Sequence, residues 1–205
     1  AREQTMTHII ELGRQQLASG GVEALNLRAI ARELGIVPSG IYRYVPDRAS
    51  LITLLIVDAF DSLDGAVARH DDPSVQPRER FIGLVGAMRQ WALEFSQRWG
   101  LIYGTPIVGY QAPAAETIAA GTKVSRRLAA LLEQSTVVPL RQRSPQLDAD
   151  MEAAAKDTGS DLSADAMEMA LEAWVRIIGL INAEVFGYLG RDTLSEFAEF
   201  HARSV

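Results

Sequence analysis

The sequence predicts an all-α protein of about nine helices, and three observations carry this prediction. Apolar residues recur every three or four positions through most of the chain. No segment alternates apolar and polar residues over the length of a strand. Stretches rich in glycine and proline, such as "HDDPSVQP" and "GTPIVGYQAP", interrupt the helical pattern. We expect a three-helix domain over residues 1–46 and a second helical domain over residues 47–205.

Three helices are expected in the N-terminal domain. The first ends at the glycine pair of "ASGG". The second, in "NLRAIARELG", begins after Asn26, a good N-cap residue, and closes at Gly35. The third is short and extends roughly from Pro38 to Tyr44, because proline suits the first turn of a helix.

Six further helices are expected in the second domain. Their apolar spacing covers residues 47–69, 78–95, 97–103, 114–134 and 164–189, and a last short segment, "TLSEFAEFHARS". Asp47 is the expected cap of the first of these helices. The stretch from Ser135 to Ser163 has two prolines and weak periodicity, so we expect a loop there, with a helical turn around Met151 to Lys156.

Composition excludes several classes of protein. The 205 residues include no cysteine, which excludes disulfides, thiolate metal sites and cysteine nucleophiles and fits a reducing cytoplasm. No apolar run reaches the roughly 18 to 20 residues that a membrane span needs, and the first residues do not resemble a secretory leader. Because the chain begins with Ala1, we expect a few natural residues to precede it.

An enzymatic role is not expected from the motifs. The histidines His8, His70 and His201 are scattered and lack metal-ligand spacing. The sequence has no phosphate loop, no dinucleotide fingerprint and no nucleophile elbow. We therefore predict no catalytic residue, no metal and no cofactor.

Charge is distributed unevenly along the chain. The net charge is −6, yet residues 1–48 hold six arginines against five acidic residues, so the remainder carries −7. A nearly neutral N-terminal segment followed by an acidic remainder indicates that the two parts of the chain bind different partners.

The segment from Arg28 to Leu51 has the plan of a helix-turn-helix, two short helical patterns joined near Gly35. In this plan the first helix supports the second, which enters the DNA major groove. The second pattern carries no acidic residue, and Ser39 and Gly40 at its start let the backbone approach base edges.

Side chains suited to DNA surround this segment. Tyr42, Arg43 and Tyr44 offer hydroxyls and a guanidinium to phosphates or guanine, and Arg28 and Arg48 begin the neighbouring helices. The alternative is a helical protein-interaction module that does not bind DNA, in which these arginines are ordinary surface residues.

The stretch "GVEALNLRAIARELGIVPSGIYRYVPDRASLI" resembles the DNA-binding domain of bacterial TetR-family transcriptional regulators. The resemblance implies a ligand-responsive dimer, usually a repressor, on a palindromic operator. It implies that Asn26 caps its helix and touches phosphate, that Arg28 reads a base, and that Arg48 grips phosphate where lysine is more usual. The predicted DNA-binding residues are Asn26, Leu27, Arg28, Pro38, Ser39, Gly40, Tyr42, Arg43, Tyr44 and Arg48.

An effector pocket is predicted where aromatic residues concentrate beside a Gly/Pro-rich loop, because Trp and Tyr combine an apolar body with a polar group. The expected lining is Leu55, Asp58, Phe60, Trp91, Phe95, Trp99, Tyr103, Tyr110 and Trp174. Filling of the core is the alternative for each of these residues. Asp58 could bond a ligand, although a solvated helix edge is the interpretation we favour.

A dimer interface is predicted on the helix over 164–189. Its segment "WVRIIGLINAEVFG" resembles a Trp-His-Gly motif of one TetR subgroup, with Ile178 in place of the histidine. Small residues every fourth position let a second helix approach closely. The expected interface is Glu172, Arg176, Gly179, Ala183, Gly187, Phe197 and Phe200. A helix crossing within one subunit is the alternative use of the small residues.

Overall fold

A computed structural model of the chain describes residues 2–132, 143–190 and 193–204. The regular secondary structure in these ranges is entirely helical, so the prediction of an all-α fold is confirmed. The ten α-helices are α1 (Arg2–Gly20), α2 (Leu27–Glu33), α3 (Arg48–Ala68), α4 (Pro77–Glu94), α5 (Ser96–Tyr103), α6 (Ala114–Gly121), α7 (Lys123–Ala130), α8 (Pro145–Thr158), α9 (Ala164–Val185) and α10 (Phe197–Ser204). Short 3₁₀ helices span Val22–Ala24 and Ile41–Arg43. No helix in the described ranges is long and apolar enough to cross a membrane.

The chain divides into two compact units. The first contains residues 1–63 and 91–121, and the second contains residues 64–90 and 122–205. The boundaries fall within α3 and α4, so each of these helices contributes residues to both units. The division by packing differs from the predicted linear boundary after residue 46, because residues 91–121 return to pack with the N-terminal helices.

Local sequence signals set the helix ends in the first unit. The Asn26 side chain accepts hydrogen bonds from the backbone N–H groups of Arg28 and Ala29, at 3.0 and 3.1 Å. Gly35 has φ +68°, a left-handed conformation in which glycine is unstrained, and it ends α2. Asp47 accepts a bond of 2.7 Å from the Ser50 N–H and begins α3. The hydrogen bonds and backbone angles at Asn26, Gly35 and Asp47 are those expected of the predicted helix caps.

The core of the first unit joins α1, α2 and α3. Its fully buried side chains include Ile9, Leu17, Ile30, Leu51 and Leu55. A Cβ placed on Gly13 would lie 3.2 Å from a methyl of Leu55, so the glycine lets α1 and α3 approach closely.

The second unit contains a helix that the sequence analysis missed. Residues 145–158 form α8, where the sequence predicts a loop with one helical turn around Met151 to Lys156, and residues 135–142 of the predicted loop lie outside the described ranges. The Ser144 hydroxyl accepts a bond from the Leu147 N–H, Pro145 occupies the first turn, and Gly159 ends the helix at φ +67°. The loop prediction is wrong because apolar spacing is weak in this stretch, whereas its capping residues carry the helix signal.

Two other expected helices differ in detail. Residues 38–44 form turns and a 3₁₀ helix instead of an α-helix, because their hydrogen bonds mostly join residues three apart: Gly40 to Val37 at 2.7 Å and Tyr44 to Ile41 at 2.9 Å. The helix expected over 114–134 is split at Thr122 into α6 and α7.

Candidate nucleic-acid interface

The candidate interface is the exposed surface formed by the start of α2 and the segment 38–44. Asn26, Arg28, Ser39, Tyr42 and Arg43 are all exposed there. The guanidinium groups of Arg28 and Arg43 form no ion pair or hydrogen bond with any described residue. These cations are therefore available to an external anion such as a phosphate.

Buried residues hold the segment 38–44 in position. Ile41 and Val45 are completely buried in the core of the first unit. Between them Tyr42 is 41% exposed. A Cβ on Gly40 would lie 3.1 Å from the Val37 carbonyl oxygen, so a larger residue would disturb the turn that presents Tyr42 and Arg43.

The start of α2 is braced by α1. The Asn26 N–H donates to the Gln16 side-chain oxygen at 2.8 Å, while the Asn26 side chain caps α2. Arg2, also on α1, stacks over the ring of Tyr44 at 5.9 Å. The backbone that carries Arg28 is consequently held at a fixed angle to α1.

Two predicted contact residues have structural roles in this unit. Leu27 is buried, so its side chain packs in the core and is not available to DNA; the apolar stripe of α2 directs it inward. Arg48 donates to the Val22 carbonyl oxygen at 2.6 Å and lies 3.5 Å from the Glu23 carboxylate. Arg48 thus ties the Val22–Ala24 turn to the start of α3. Pro38 is exposed, and Gly40 and Tyr44 are half-buried.

Asp58 is a central residue of the first unit and is not left free for a ligand. Its carboxylate accepts hydrogen bonds from Arg14 of α1 and Arg98 of α5, at 2.8 and 2.9 Å. Burial lowers the pKa of Arg98, while Asp58 opposes that shift. Hydrogen bonding to Asp58 raises the pKa of Arg14. The acid therefore forms ion pairs with two arginines instead of lying on a solvated edge.

The aromatic residues predicted for the effector pocket mostly pack on one another in the first unit. Arg98 lies over the rings of Trp91 and Phe95, at 5.3 and 5.4 Å. The Tyr103 ring contacts Phe60 at 5.8 Å and Trp99 at 4.6 Å between centroids. Burial raises the pKa of Tyr103.

Two more residues of the predicted pocket are held in the first unit. Tyr110 shares a 2.9 Å hydrogen bond with Thr53. Leu55 is buried with the apolar side chains of the core. These interactions occupy surfaces that an effector would need.

Trp174 lies apart from that aromatic cluster in the chain, in the second unit, where it lines a cavity of about 380 Å³. Apolar side chains from α4, α7 and α9 form most of the wall, among them Phe81, Leu128, Met167 and Ile177. The sequence analysis missed these four residues, because their spacing is that of ordinary core positions.

The predicted dimer residues lie mainly on the exposed side of α9 and on α10. Glu172, Arg176 and Gly179 are exposed, as are Gly187 and Phe200, while Ala183 and Phe197 are half-buried. Gly187 differs from its expected place on a helix face: α9 ends at Val185, and Gly187 takes φ +69° beyond it. The residue therefore ends the helix, a role that left-handed glycine serves well.

Two large apolar residues extend this surface. Val175 is 70% exposed and Phe186 is 38% exposed, and both fall on the same side of α9 as Gly179. Exposed apolar side chains grouped in this way mark an interaction surface. The opposite side carries the buried Ile177 and Ile181.

Comparison with known proteins decides the family. Residues 9–54 match the model for bacterial regulatory proteins of the tetR family. Residues 81–205 match the model for the tetracyclin repressor-like C-terminal domain. The chain belongs to the TetR family of transcriptional regulators. The first match contains the surface built on α2 and the segment 38–44, and the second contains α9 and α10.

Relatives of this TetR-family chain cover almost its whole length. It is 37% identical over 203 residues to the HTH-type transcriptional regulators Rv1816 of Mycobacterium tuberculosis and Mb1846 of Mycobacterium bovis. Each match covers 96% of this chain and 87% of the relative.

Solved structures share the fold. Regulatory protein SCO4313 has a TM-score of 0.78 and 28% identity, covering 98% of this chain and 95% of its own. RolR, solved in complex with its ligand resorcinol, has a TM-score of 0.57 and 20% identity, covering all of this chain and 88% of its own. At 20% identity, the similarity to RolR shows only that the two proteins share a fold.

Proposed function

We propose that this TetR-family regulator represses transcription by binding a palindromic operator as a homodimer, and that a small apolar or aromatic effector releases it. The observation that carries the proposal is the exposed surface of Arg28, Tyr42 and Arg43, supported by a buried Ile41 and Val45. We place the protein in the cytoplasm, where it would act on DNA and catalyse no reaction.

DNA contact would use both kinds of recognition. Arg28, in the first turn of α2, has the donors to hydrogen-bond a guanine edge, and Arg43 and Tyr42 can bond phosphates on either side of the groove. Phosphate contacts supply affinity that depends on salt, and two copies in a dimer double their number. Asn26, Ser39, Gly40 and Tyr44 would contribute backbone or side-chain contacts at the edge of this surface.

Dimerisation would bury the exposed side of α9 against its symmetry mate. Val175 and Phe186 supply apolar area, Gly179 and Ala183 permit close approach, and Phe197 and Phe200 of α10 extend the surface. A two-fold axis presents the same patch on both subunits. The two copies of the segment 38–44 would then reach half-sites about 34 to 36 Å apart, one turn of DNA.

The effector site we propose is the cavity beside Trp174, in place of the aromatic cluster predicted from sequence. Its volume of about 380 Å³ and apolar lining are typical of sites for small molecules. Effector binding would favour a conformation unable to span successive grooves. The two affinities are then linked reciprocally, so DNA must weaken effector binding by the same factor.

Selection from a random DNA library tests the proposal. The purified protein is mixed with random duplexes at moderate salt, and the bound fragments are sequenced. We expect enrichment of a palindrome whose half-sites lie about one helical turn apart. Arg28→Ala should lose this enrichment, whereas Arg69→Ala, an exposed arginine of the second unit, should keep it. A folded protein that selects no sequence would favour the protein-interaction module instead.

A further inference from the structure

We propose that the cavity beside Trp174 binds an amphipathic anion, a carboxylate with an apolar body, and that Arg126 pairs with its carboxylate. This inference deepens the proposed function and rests on it only for the consequence of binding. The ligand class follows from the lining residues of the second unit.

The body of the ligand must be apolar and small. The wall includes the large apolar side chains of Phe81, Leu128, Met167, Trp174 and Ile177. A water molecule takes about 30 Å³ of liquid volume, so a cavity of about 380 Å³ corresponds to roughly a dozen non-hydrogen atoms. A chain of about ten carbons, or two fused aromatic rings, with a carboxylate attached is of this size.

The hydroxyl groups in the wall are already used within the protein. Ser125 donates to the Thr122 carbonyl oxygen at 3.1 Å. Thr158 donates to the Ala155 carbonyl oxygen at 2.8 Å, and Ser160 lies 3.1 Å from the Thr158 oxygen. The donors of these residues are therefore committed, so none of them can donate to a ligand carboxylate without losing an existing bond.

Arg126 is the charged residue among the described lining positions, and it is available. It is exposed, and its guanidinium forms no ion pair or hydrogen bond with any described residue. None of the described lining positions is acidic. A cationic ligand would find no counter-charge among these described positions, whereas a carboxylate would find a guanidinium whose fork matches its two oxygens.

The surroundings of Arg126 strengthen the preference for an anion. Arg126 and Ala130 also line a neighbouring cleft of about 590 Å³. Among the described residues that line this cleft, Asp64 and Asp71 form ion pairs with Arg80 and Arg127, and Lys123 and Arg126 add two further basic side chains, within a chain of net charge −6. The local positive charge raises the concentration of anions at the edge of the cavity.

Calorimetric titration with three ligands of one chain length tests the charge preference. The probes are decanoate, decanol and decylammonium, each kept below its micelle concentration. Decanoate should bind at least about tenfold more tightly than the other two, since one charge-assisted hydrogen bond commonly changes affinity by that factor or more. Equal binding of decanol or decylammonium would overturn the proposal, and so would equal binding of acetate, because acetate lacks an apolar body. 2-Naphthoate in a parallel titration decides between alkyl and aromatic bodies.

Two variants tie the binding to this site. Arg126→Gln should lower the affinity for decanoate about tenfold to a hundredfold. Arg69→Gln changes an exposed arginine outside both the cavity and the cleft, and it should leave the decanoate affinity unchanged. Ala170→Leu narrows the cavity and should lower the affinity for all carboxylates with an apolar body. Ala173→Leu replaces this variant if Ala170→Leu lowers the melting temperature of the protein. Unchanged decanoate affinity in Arg126→Gln would overturn the assignment.

Operator selection and decanoate titration together distinguish failure of the ligand site from failure of the proposed regulatory function. If decanoate binds through Arg126 but the protein selects no operator, the ligand site stands and the regulatory function fails. If an operator is selected but decanoate neither binds nor releases it, the regulator stands and the ligand class fails.

Discussion

Arg98 of α5 donates a 2.9 Å hydrogen bond to the Asp58 carboxylate and a 3.0 Å bond to the Asp58 backbone carbonyl on α3. Arg14 of α1 bonds the same carboxylate, so one acid joins three helices of the first unit. The side chains of Asp58 and Arg98 are only 15% and 12% exposed. Water therefore offers little compensation if the pair is broken.

Asp58→Asn should lower the free energy of unfolding by about 2 kcal/mol, because it leaves a partly buried Arg98 without its counter-charge. Urea denaturation of both proteins measures the difference. Glu33→Gln removes a charge at an exposed position that forms no ion pair with any described residue, and it should change stability by less than about 0.5 kcal/mol. Equal effects of the two variants would show that the Asp58 contacts contribute little.

Arg28→Ala should lower the preference for the operator while the slope of log affinity against log salt stays nearly constant, because the proposed partner of Arg28 is a base edge. Arg43→Ala, which removes a proposed phosphate contact, should instead lower this slope by roughly one for each arginine removed, or about two for a dimer. Titrations of the selected operator and a scrambled duplex at several salt concentrations distinguish these outcomes, and an unaffected affinity for both would exclude Arg28 from the interface.

Val175→Lys should dissociate the dimer, because it places a charge in the centre of the proposed apolar surface on α9. Sedimentation equilibrium should give a dimer for the wild type and a monomer for the variant at the same concentration. Val108→Lys is the matched control, since Val108 is 99% exposed in the first unit and should leave the dimer intact. A dimeric Val175→Lys protein would move the interface elsewhere.

Stability should fall as pH is lowered from about 7.5 to 5.5, because His201 is 2% exposed and burial lowers its pKa, with Arg89 adding to the shift. The unfolded chain takes up a proton near pH 6.5, whereas folded His201 stays neutral to lower pH. Each pH unit through this window costs up to about 1.4 kcal/mol. The loss ends once the pH passes below the folded pKa.

His201→Leu should flatten this dependence, while His8→Gln, which changes an exposed histidine, should keep it. Thermal unfolding at several pH values compares the three proteins. Carboxylates with a lowered pKa, such as Asp71, become protonated in the folded protein only at more acidic pH. Their contribution to folding stability is therefore lost below the range of pH 7.5 to 5.5. An identical pH profile in His201→Leu would assign the effect to other groups.

Much of the fold could be predicted because helix ends are local. Asn26, Gly35 and Asp47 act on backbone groups within a few residues, so their roles follow from the adjacent sequence. Ser144, Pro145 and Gly159 carry the same kind of signal for α8, whereas the weak apolar periodicity of this stretch predicts a loop. The turn at Gly35 is equally local, although the helix expected over residues 38–44 is turns and a 3₁₀ helix.

By itself the sequence determined the all-α class, the helix-turn-helix and the family resemblance, since each depends on short spacings along the chain. Tertiary structure decided that Leu27 packs in the core, that Asp58 is shared by Arg14 and Arg98, and that the cavity lies beside Trp174. Asp58 meets partners 44 and 40 residues away. Periodicity assigns a side chain to a face of its own helix, but only packing decides which other helix covers that face.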